Sequence, residues 1–547
     1  MIHPSQAERL ASACAKVVGS ARVSRATSDR HSYARDQWPR VLIGMRDGKG
    51  APFPPDVVAW PTTTAEVAAL VRVARELGVP IVPYAAGSGV CGGAAPIYGG
   101  LVIDTKPMDR ILALDARNAT VRVQAGMNGE RFERELNQRG FTLGHFPSSI
   151  YCSTVGGWLA ARGAGQMSTK YGKIEDMTLG LEVVTGRGDI VRTGVDGRAA
   201  AGPDWTQVFI GSEGTLGVLT EGTLRLRKSP ELRILRGFEL PTVDAGMEAI
   251  RAVMQRGLRP AVVRLYDPFD SFLAMRHRSE AAAVAAGDQG GAYVPAPPPA
   301  KGLAGRLARS LASARQRVQD TLLAGALARP RLLNPVLDSL VPRIARKGCL
   351  LIVGCEGAAR RTEVEARLTF AELERAGGRD LGEGPGLNWL KKRYAVSYRQ
   401  STLFAAGAFA DTMEVASTWE RLPDLYESVR AAIGRHAMVM AHLSHAYPEG
   451  CSIYFTFVAH APDRARMERV YDAIWSDGLS AAARAGGTIS HHHGVGLSKG
   501  AFMAEEHRES MAILRALKSV LDPDGVMNPG KLGLAAPPRL TDVARAS

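Results

Sequence analysis

Three glycine-rich stretches in the N-terminal half constrain this chain more than any other feature: P-Y-A-A-G-S-G at Pro83–Gly89, S-T-V-G-G-W-L-A-A-R-G-A-G at Ser153–Gly165 and G-S-E-G-T-L-G-V-L-T at Gly211–Thr220. A backbone without side chains can turn successive N–H groups inward and approach a diphosphate closely, so such clusters build anion nests. One stretch of this sort is often a plain turn. Three at this joint spacing point to one extended, phosphate-bearing cofactor touched at several places.

The segment before the first loop supports that reading. From Asp56 the run V-V-A-W-P-T-T-T-A-E-V-A-A-L-V-R-V-A-R-E-L-G-V-P-I-V-P-Y predicts a short strand, a helix with a Thr N-cap that ends at Gly78, and a second strand. This β-α-β unit delivers the chain into the loop Ala85–Gly93. Further strands are predicted at Leu101–Asp104, Thr120–Ala125, Leu181–Thr185 and Thr215–Arg227, and a helix at Gly129–Arg139. In the second half, strands are predicted near Cys349–Gly354, Phe409–Val415 and Ser452–Val458, with helices over Trp419–Arg435, Asp463–Ala485 and Glu505–Leu521.

A chain of 547 residues exceeds what one core organises, so several domains are expected. The division read here is an N-terminal segment 1–51, a cofactor domain 52–229 and a substrate or cap domain 230–547, all of α+β character. Within the last, residues 301–347 carry ten Lys and Arg against two acids, Asp320 and Asp338, after the linker-like P-A-P-P-P-A of Pro295–Ala300. Such a basic, Leu-rich helical stretch can lie on an anionic membrane surface or pack as a solvated insertion, and both readings are open. The net charge of +14 favours acidic partners, but no zinc-finger, RNA-recognition or helix-turn-helix pattern accompanies it, so nucleic acid is not an expected partner. The absence of a signal-peptide pattern and of any run of eighteen apolar residues predicts a cytoplasmic protein, peripheral at a membrane at most. Six cysteines without C-x-x-C spacing predict buried reduced thiols.

At its three loops the sequence resembles the vanillyl-alcohol-oxidase type of FAD-binding family, and the resemblance covers nearly the whole chain. It implies an α+β fold in which a two-subdomain FAD-binding domain is followed by an α+β substrate-binding cap, with non-covalent FAD and a homodimer. It assigns the FAD diphosphate to Pro83, Tyr84, Ala85, Ala86, Gly87, Ser88 and Gly89. Flavin and ribityl fall to Ser148, Ser149, Ile150, Tyr151, Cys152, Ser153 and Thr154, with Ala161, Arg162, Gly163 and Ala164. Main-chain contacts to adenosine and flavin fall to Glu213, Gly214, Thr215, Leu216, Gly217, Val218 and Leu219. Ala85 stands where the family usually has Gly, which a negative φ would tolerate. Cys91 and Cys152 lie beside the loops as bystander thiols.

Relatives of the D-lactate and glycolate oxidising type carry H-x-G-D-G-N-x-H for a divalent metal and a later E-H-G. Here the comparable stretches are H-L-S-H-A-Y-P-E-G-C-S-I-Y-F-T-F, His442–Phe457, and S-H-H-H-G-V-G, Ser490–Gly496. The carboxylates of a hard metal site are missing, so no metal is expected. L-G-H-F-P-S-S at Leu143–Ser149, S-T-V-G-G-W at Ser153–Trp158, R-L-Y-D at Arg264–Asp267, S-Y-R-Q at Ser397–Gln400, C-S-I-Y-F at Cys451–Phe455 and the His triplet instead resemble the alkyldihydroxyacetone phosphate synthases of ether-lipid synthesis.

That resemblance implies exchange of the acyl group of acyl-dihydroxyacetone phosphate for a long-chain alcohol without net redox. It places Tyr454 as acid/base, His491, His492 and His493 on the flavin side, His145 in support of proton transfer, and Arg264 and Arg399 on anionic substrate groups. These residue types suit proton transfer near neutrality and bidentate anion binding. On an extended segment the three histidines alternate, so two would face the cavity. Simpler roles stay open: Arg264 paired with Asp267, His145 a satisfied loop residue, Tyr454 core. Ser148 in place of the family's Asp, and V-M-N-P-G-K-L at Val526–Leu532, keep a second activity open, an FAD-dependent 2-hydroxyacid dehydrogenase or oxidase.

Overall fold

The computed structural model describes residues 2–45, 48, 50–194, 197, 199–275, 325–345, 348–395, 407–538 and 540. The helix of the β-α-β unit, Thr64–Glu76, begins where Thr63 accepts a hydrogen bond from the Glu66 N–H, while Glu66 reaches back to the Thr62 N–H at 2.7 Å. These reciprocal bonds satisfy donors that a helix start leaves open, and losing such a cap costs about 1 kcal/mol. Its buried stripe, Val67, Ala68, Leu70, Val71 and Ala74, covers a four-stranded sheet in which Val57–Ala59 and Ile81–Tyr84 flank Leu101–Asp104 in parallel. Both ends of the chain enter this layer. Leu10, Cys14 and Val18 of the helix Pro4–Val18 join its core, and so do Val526 and Met527, the Ile81 N–H bonding the Val526 carbonyl at 2.8 Å.

A second, five-stranded antiparallel sheet runs in the order Ile111–Asp115, Thr120–Gln124, Gly217–Arg225, Thr178–Thr185, Ile190–Arg192. The third sheet has seven antiparallel strands: Arg379–Asp380, Leu232–Leu240, Cys349–Gly357, Val262–Tyr266, Met438–Ala446, Gly450–His460 and Ala408–Thr418.

Strand alternation gives the third sheet two chemically different faces. In register across three strands, Met413, Phe455 and Ala441 point into an apolar core under the helices Val243–Gln255, Leu422–Gly434 and Arg464–Arg484. One residue along, Glu414, Tyr454, His442 and Tyr266 stand opposite one another on the other face. A row of polar side chains on a buried sheet needs partners, and the glycine loops and the His triplet supply them.

Met438–Ala446 is a strand that carries no prediction, because Met438, Met440 and His445 blur the alternation of M-V-M-A-H-L-S-H-A. The helix expected over Glu505–Leu521 is two helices, Met503–His507 and Ser510–Leu521, because Arg508 takes a left-handed φ of 46° between them. The linker-like Pro295–Ala300 and, of the basic stretch 301–347, residues 301–324, 346 and 347 lie outside the described residues. The helix Pro330–Ala345 shows an exposed apolar stripe of Leu332, Val336 and Leu340. Among the described residues no helix is long and apolar enough to cross a membrane.

Candidate active site

The three glycine loops converge. A Cβ on Gly157 would lie 3.3 Å from the Ala85 methyl and 3.7 Å from Thr154 Oγ1, joining the first loop to the second, and one on Gly214 would lie 2.9 Å from Pro83 Cγ, joining the first to the third. Ala85 is absent from the positive-φ residues, so its methyl is tolerated, and Gly157 makes room for it. Gly87 is the position that only glycine suits: φ is +62° and a Cβ there would meet Tyr84 Oη at 1.9 Å. The N–H groups of Ala86, Gly87, Ser88 and Gly89 have no hydrogen-bond partner among the described residues. Thr154 Oγ1 and both ring nitrogens of His145 are buried without partners. Unpartnered buried side-chain atoms beside a loop of available N–H donors fit a bound dinucleotide, because buried polar groups are otherwise paired.

The side chains of the third loop have structural tasks. Leu216, Val218 and Leu219 are buried in the cores of the first two sheets, and the main chain of Gly217, Val218 and Leu219 pairs with Thr185, Val184 and Val183. Glu213, at φ 47°, accepts from the N–H groups of Val495 at 2.5 Å and Gly496 at 2.8 Å, while Asn528 Nδ2 donates to the carbonyls of Glu213 and Gly93. The cradle is thereby stitched to the segment that carries the His triplet. The guanidinium of Arg162 is directed to Gln207 at 2.8 Å and Glu175 at 3.6 Å.

On the polar face of the third sheet the triplet meets Tyr454 and two further histidines. The Tyr454 ring stacks on His442 at 4.8 Å and on His492 at 6.1 Å and meets His493 edge-on at 5.3 Å. His445 lies 5.2 Å from His491 and 4.8 Å from His492. It reaches them because it is the extra residue of a β-bulge, at φ 57°. Bulges with unusual backbone angles re-aim side chains at functional sites. Tyr447 Oη lies 3.0 Å from His491 Nε2, Ser168 Oγ 2.6 Å from His445 Nδ1, and Lys173 donates to the His491 carbonyl at 2.7 Å.

The triplet is not extended, so the expected alternation does not hold. It bends around the fully buried carboxylate of Glu414, which accepts from the main-chain N–H groups of His491, His492 and His493 at 3.1, 3.2 and 2.6 Å. Ser490 Oγ donates to the same carboxylate at 2.8 Å, and Lys499 Nζ, also fully buried, binds both of its oxygens at 3.1 Å. Burial acts to raise the Glu414 carboxyl, but Lys499, His493 and the N–H donors outweigh it and hold it at about 2. Neither Glu414 nor Lys499 was singled out from the sequence, although a lone Glu in the apolar run A-F-A-D-T-M-E-V-A was a legible signal of a buried pair.

Burial keeps the ring nitrogens neutral at physiological pH. Desolvation pushes His491, His492 and His442 well below their ordinary value, and takes His493 to about 4 despite the opposing pull of Glu414. Burial raises the Tyr454 phenol to about 12. His442, also missed from the sequence as a site residue, has a fixed tautomer: Arg264 can only donate, so the contact of its Nη2 with His442 Nε2 at 2.6 Å puts the imidazole proton on Nδ1, which faces Asp270 Oδ2 at 3.4 Å.

Arg264 does not pair with Asp267, which instead accepts from the N–H groups of Ala441 and Asp270. No carboxylate lies within ion-pair reach of Arg264 among the described residues, and its Nε is buried without a partner. His145 stands apart from the triplet, packed on Trp158 at 4.6 Å and held at about 3 by burial. No ring contact or hydrogen bond joins it to the histidine cluster among the described residues. Arg399 lies outside the described residues. Ser148 Oγ accepts from Gln166, and Tyr151 meets Tyr394 of the third-sheet half edge-on at 5.2 Å. None of the six cysteines forms a disulfide, and contrary to expectation Cys152 is exposed, because it sits on the turn between Ser149 and Ser153.

The chain belongs to the FAD-linked oxidases: the family model described as FAD linked oxidases, C-terminal domain, matches residues 229–532, and that of the FAD binding domain matches residues 55–194. Its cofactor is FAD. Among its relatives, the alkyldihydroxyacetonephosphate synthase of Dictyostelium discoideum is 28% identical over 507 residues, 90% of this chain and 75% of that one. The glycolate oxidase subunit GlcD of Bacillus subtilis is 27% identical, covering 87% of this chain and 89% of its own. A solved alkyldihydroxyacetonephosphate synthase structure superimposes with a TM-score of 0.71 at 25% identity, covering 97% of this chain and 86% of that one.

The cradle yields a first prediction. Gly87→Ala forces a left-handed Ala, costing about 1–2 kcal/mol, and adds a clash with Tyr84. FAD affinity should fall at least about tenfold, measured by release of flavin fluorescence on dilution; a variant that keeps its full flavin complement would contradict this account.

Proposed function

We propose that this protein is an FAD-dependent transferase of the alkylglycerone-phosphate synthase kind, exchanging the acyl group of an acyl-dihydroxyacetone phosphate for a long-chain alcohol in ether-lipid synthesis. The observation that carries the reading is the cluster of Tyr454 and five neutral histidines beside Arg264, a guanidinium with no carboxylate of its own. The main chain of Ala86–Gly89 holds the FAD diphosphate in this reading, with residues 148–154, 161–164 and 213–219 along the rest. When bound, FAD supplies an electrophilic ring system.

The exchange breaks the C1–O bond to the acyl group and makes a C1–O bond to the alcohol, with no electrons gained or lost overall. Arg264 receives the departing carboxylate, since a guanidinium pairs with two oxygens at once. Arg399 takes another anionic substrate group. His493 accepts the substrate proton at Nε2, and the imidazolium so formed is stabilised by Glu414, whose Oε1 lies 3.8 Å from Nδ1. Tyr454 stays protonated at neutral pH and donates from Oη. His145, buried and unpartnered, packs beside the second loop rather than in the proton path.

The alternative, a 2-hydroxyacid dehydrogenase or oxidase, draws support from V-M-N-P-G-K-L and from relatives such as the glycolate oxidase subunit. The C-terminal motif, however, bears on the cradle and not on the chemistry: Asn528 binds the loop carbonyls and Lys531 the Ala95 carbonyl at 2.7 Å. His442 and His445, at the positions of the oxidising branch's metal motif, are engaged with Arg264 and Ser168. The exposed stripe of Leu332, Val336 and Leu340 beside Arg329 and Arg331 supports peripheral contact with anionic lipid.

Anaerobic titration of the purified yellow protein decides between the two activities. The transferase keeps its visible flavin band in excess D-lactate or glycolate and forms alkyl-dihydroxyacetone phosphate from the acyl compound and hexadecanol. Rapid bleaching by a D-2-hydroxy acid, with no ether product, would sink the transferase reading.

A further inference from the structure

Behind the histidine cluster lies a cavity of about 290 Å³ beside the short helix Ser168–Tyr171. Four cationic side chains line it, Lys170, Arg225, Arg227 and Arg259, against one acid, Asp176. Asp176 is occupied by its own helix start, accepting from the Lys173 N–H at 2.7 Å, and Lys170 faces Glu365 at 3.4 Å. None of the three guanidinium groups has a carboxylate partner among the described residues: Arg225 reaches only the Asp176 carbonyl at 3.5 Å, and Arg259 donates from its guanidinium to the carbonyls of Met254 and Leu258 and only from its main-chain N–H to Glu365, at 2.8 Å.

Guanidinium groups gathered around one small space repel one another, and a cleft lined by a single sign of charge concentrates counter-ions. Arg40, by contrast, is neutralised by Glu468 and Asp472, and the three arginines here, with no such partner, mark a place able to receive negative charge. The cavity also borders the candidate active site through two side chains. Tyr447 lines it and bonds His491, and Ser168 lines it and bonds His445.

We infer that this cavity is an accessory binding site for a phosphate-type dianion, either the free ion or the phosphate of a small phosphomonoester, held by Arg225, Arg227 and Arg259 on the far side of Tyr447 from the triplet. Its volume suits a ligand of a few heavy atoms and not a lipid chain, because sites for drug-sized molecules start at about 300 Å³. Planar guanidinium forks match the paired oxygens of a phosphate. The site is separate from Arg264 and does not depend on which reaction the flavin performs.

Calorimetric titration of the FAD-loaded protein tests this, with inorganic phosphate and glycerol 3-phosphate in separate arms. At least one should bind. Tighter binding of inorganic phosphate assigns the free ion, tighter binding of glycerol 3-phosphate the phosphoester. The Arg227→Gln/Arg259→Gln double variant should bind tenfold or more weakly, and Arg227→Gln alone, at an exposed position where folding is not at stake, several-fold more weakly. Arg264→Gln should leave the affinity within twofold. No binding in either arm, or unchanged affinity in both the single and the double variant, overturns the assignment.

Discussion

Glu414→Ala is expected to destabilise the protein by about 3–5 kcal/mol, the cost of leaving one member of a buried ion pair without its partner, and to abolish turnover. The variant strands Lys499 in a fully buried site and releases the three N–H groups that bend the His triplet. Thermal unfolding with a flavin-release readout measures the first effect. Glu414→Gln separates the two: it keeps acceptors for the N–H groups but loses the charge that opposes Lys499. It should fold with FAD bound yet lose most activity, because a protonated His493 would lack its counter-charge. Native-like stability and turnover in both variants would remove Glu414 from the account.

The same carboxylate predicts an acid limb. Its folded value, about 2, lies below the ordinary 4.5, so the unfolded chain binds its proton first as pH falls. The stability it contributes is complete above about pH 4.5 and is lost as pH drops toward 2. In Glu414→Gln that limb should flatten.

Tyr454→Phe should lower turnover about 10²- to 10⁴-fold, the range typical of a lost acid/base group, without loss of fold or flavin. The phenolic hydroxyl is the only group removed, and the ring stacked on His442 at 4.8 Å remains. Stopped-flow measurement of product formation, alongside FAD content, checks it. A rate within threefold of the parent would make Tyr454 a packing residue of its strand.

Much of the fold was legible because local rules and global architecture agree. Thr63 and Gly78 bracket the helix of the β-α-β unit, and Leu101–Asp104 is predicted and observed with the same bounds. Legibility fails where function overrides pattern. Met438 and Met440 blur the alternation that Ala441, His442, Leu443 and Ser444 keep, and the bulge at His445 cannot be inferred from residue order. The bend of the triplet was unreadable for a different reason: its cause, Glu414, lies more than seventy residues away in sequence and across the sheet.

The sequence by itself determined the glycine-rich loops and the strand-and-helix grammar around them, since glycine placement and apolar period are local properties of the chain. It also displayed Tyr454, Arg264 and the three histidines as an unusual set of side chains. Only the tertiary structure decided what joins them. A buried carboxylate is tolerable only where a cation and several N–H groups converge on it, and that convergence draws on the Ala408–Thr418 strand, Lys499 and the triplet. Long-range contacts of this kind, set by sheet register and by loops stitched through Glu213 and Asn528, place a neutral histidine cluster against the glycine loops.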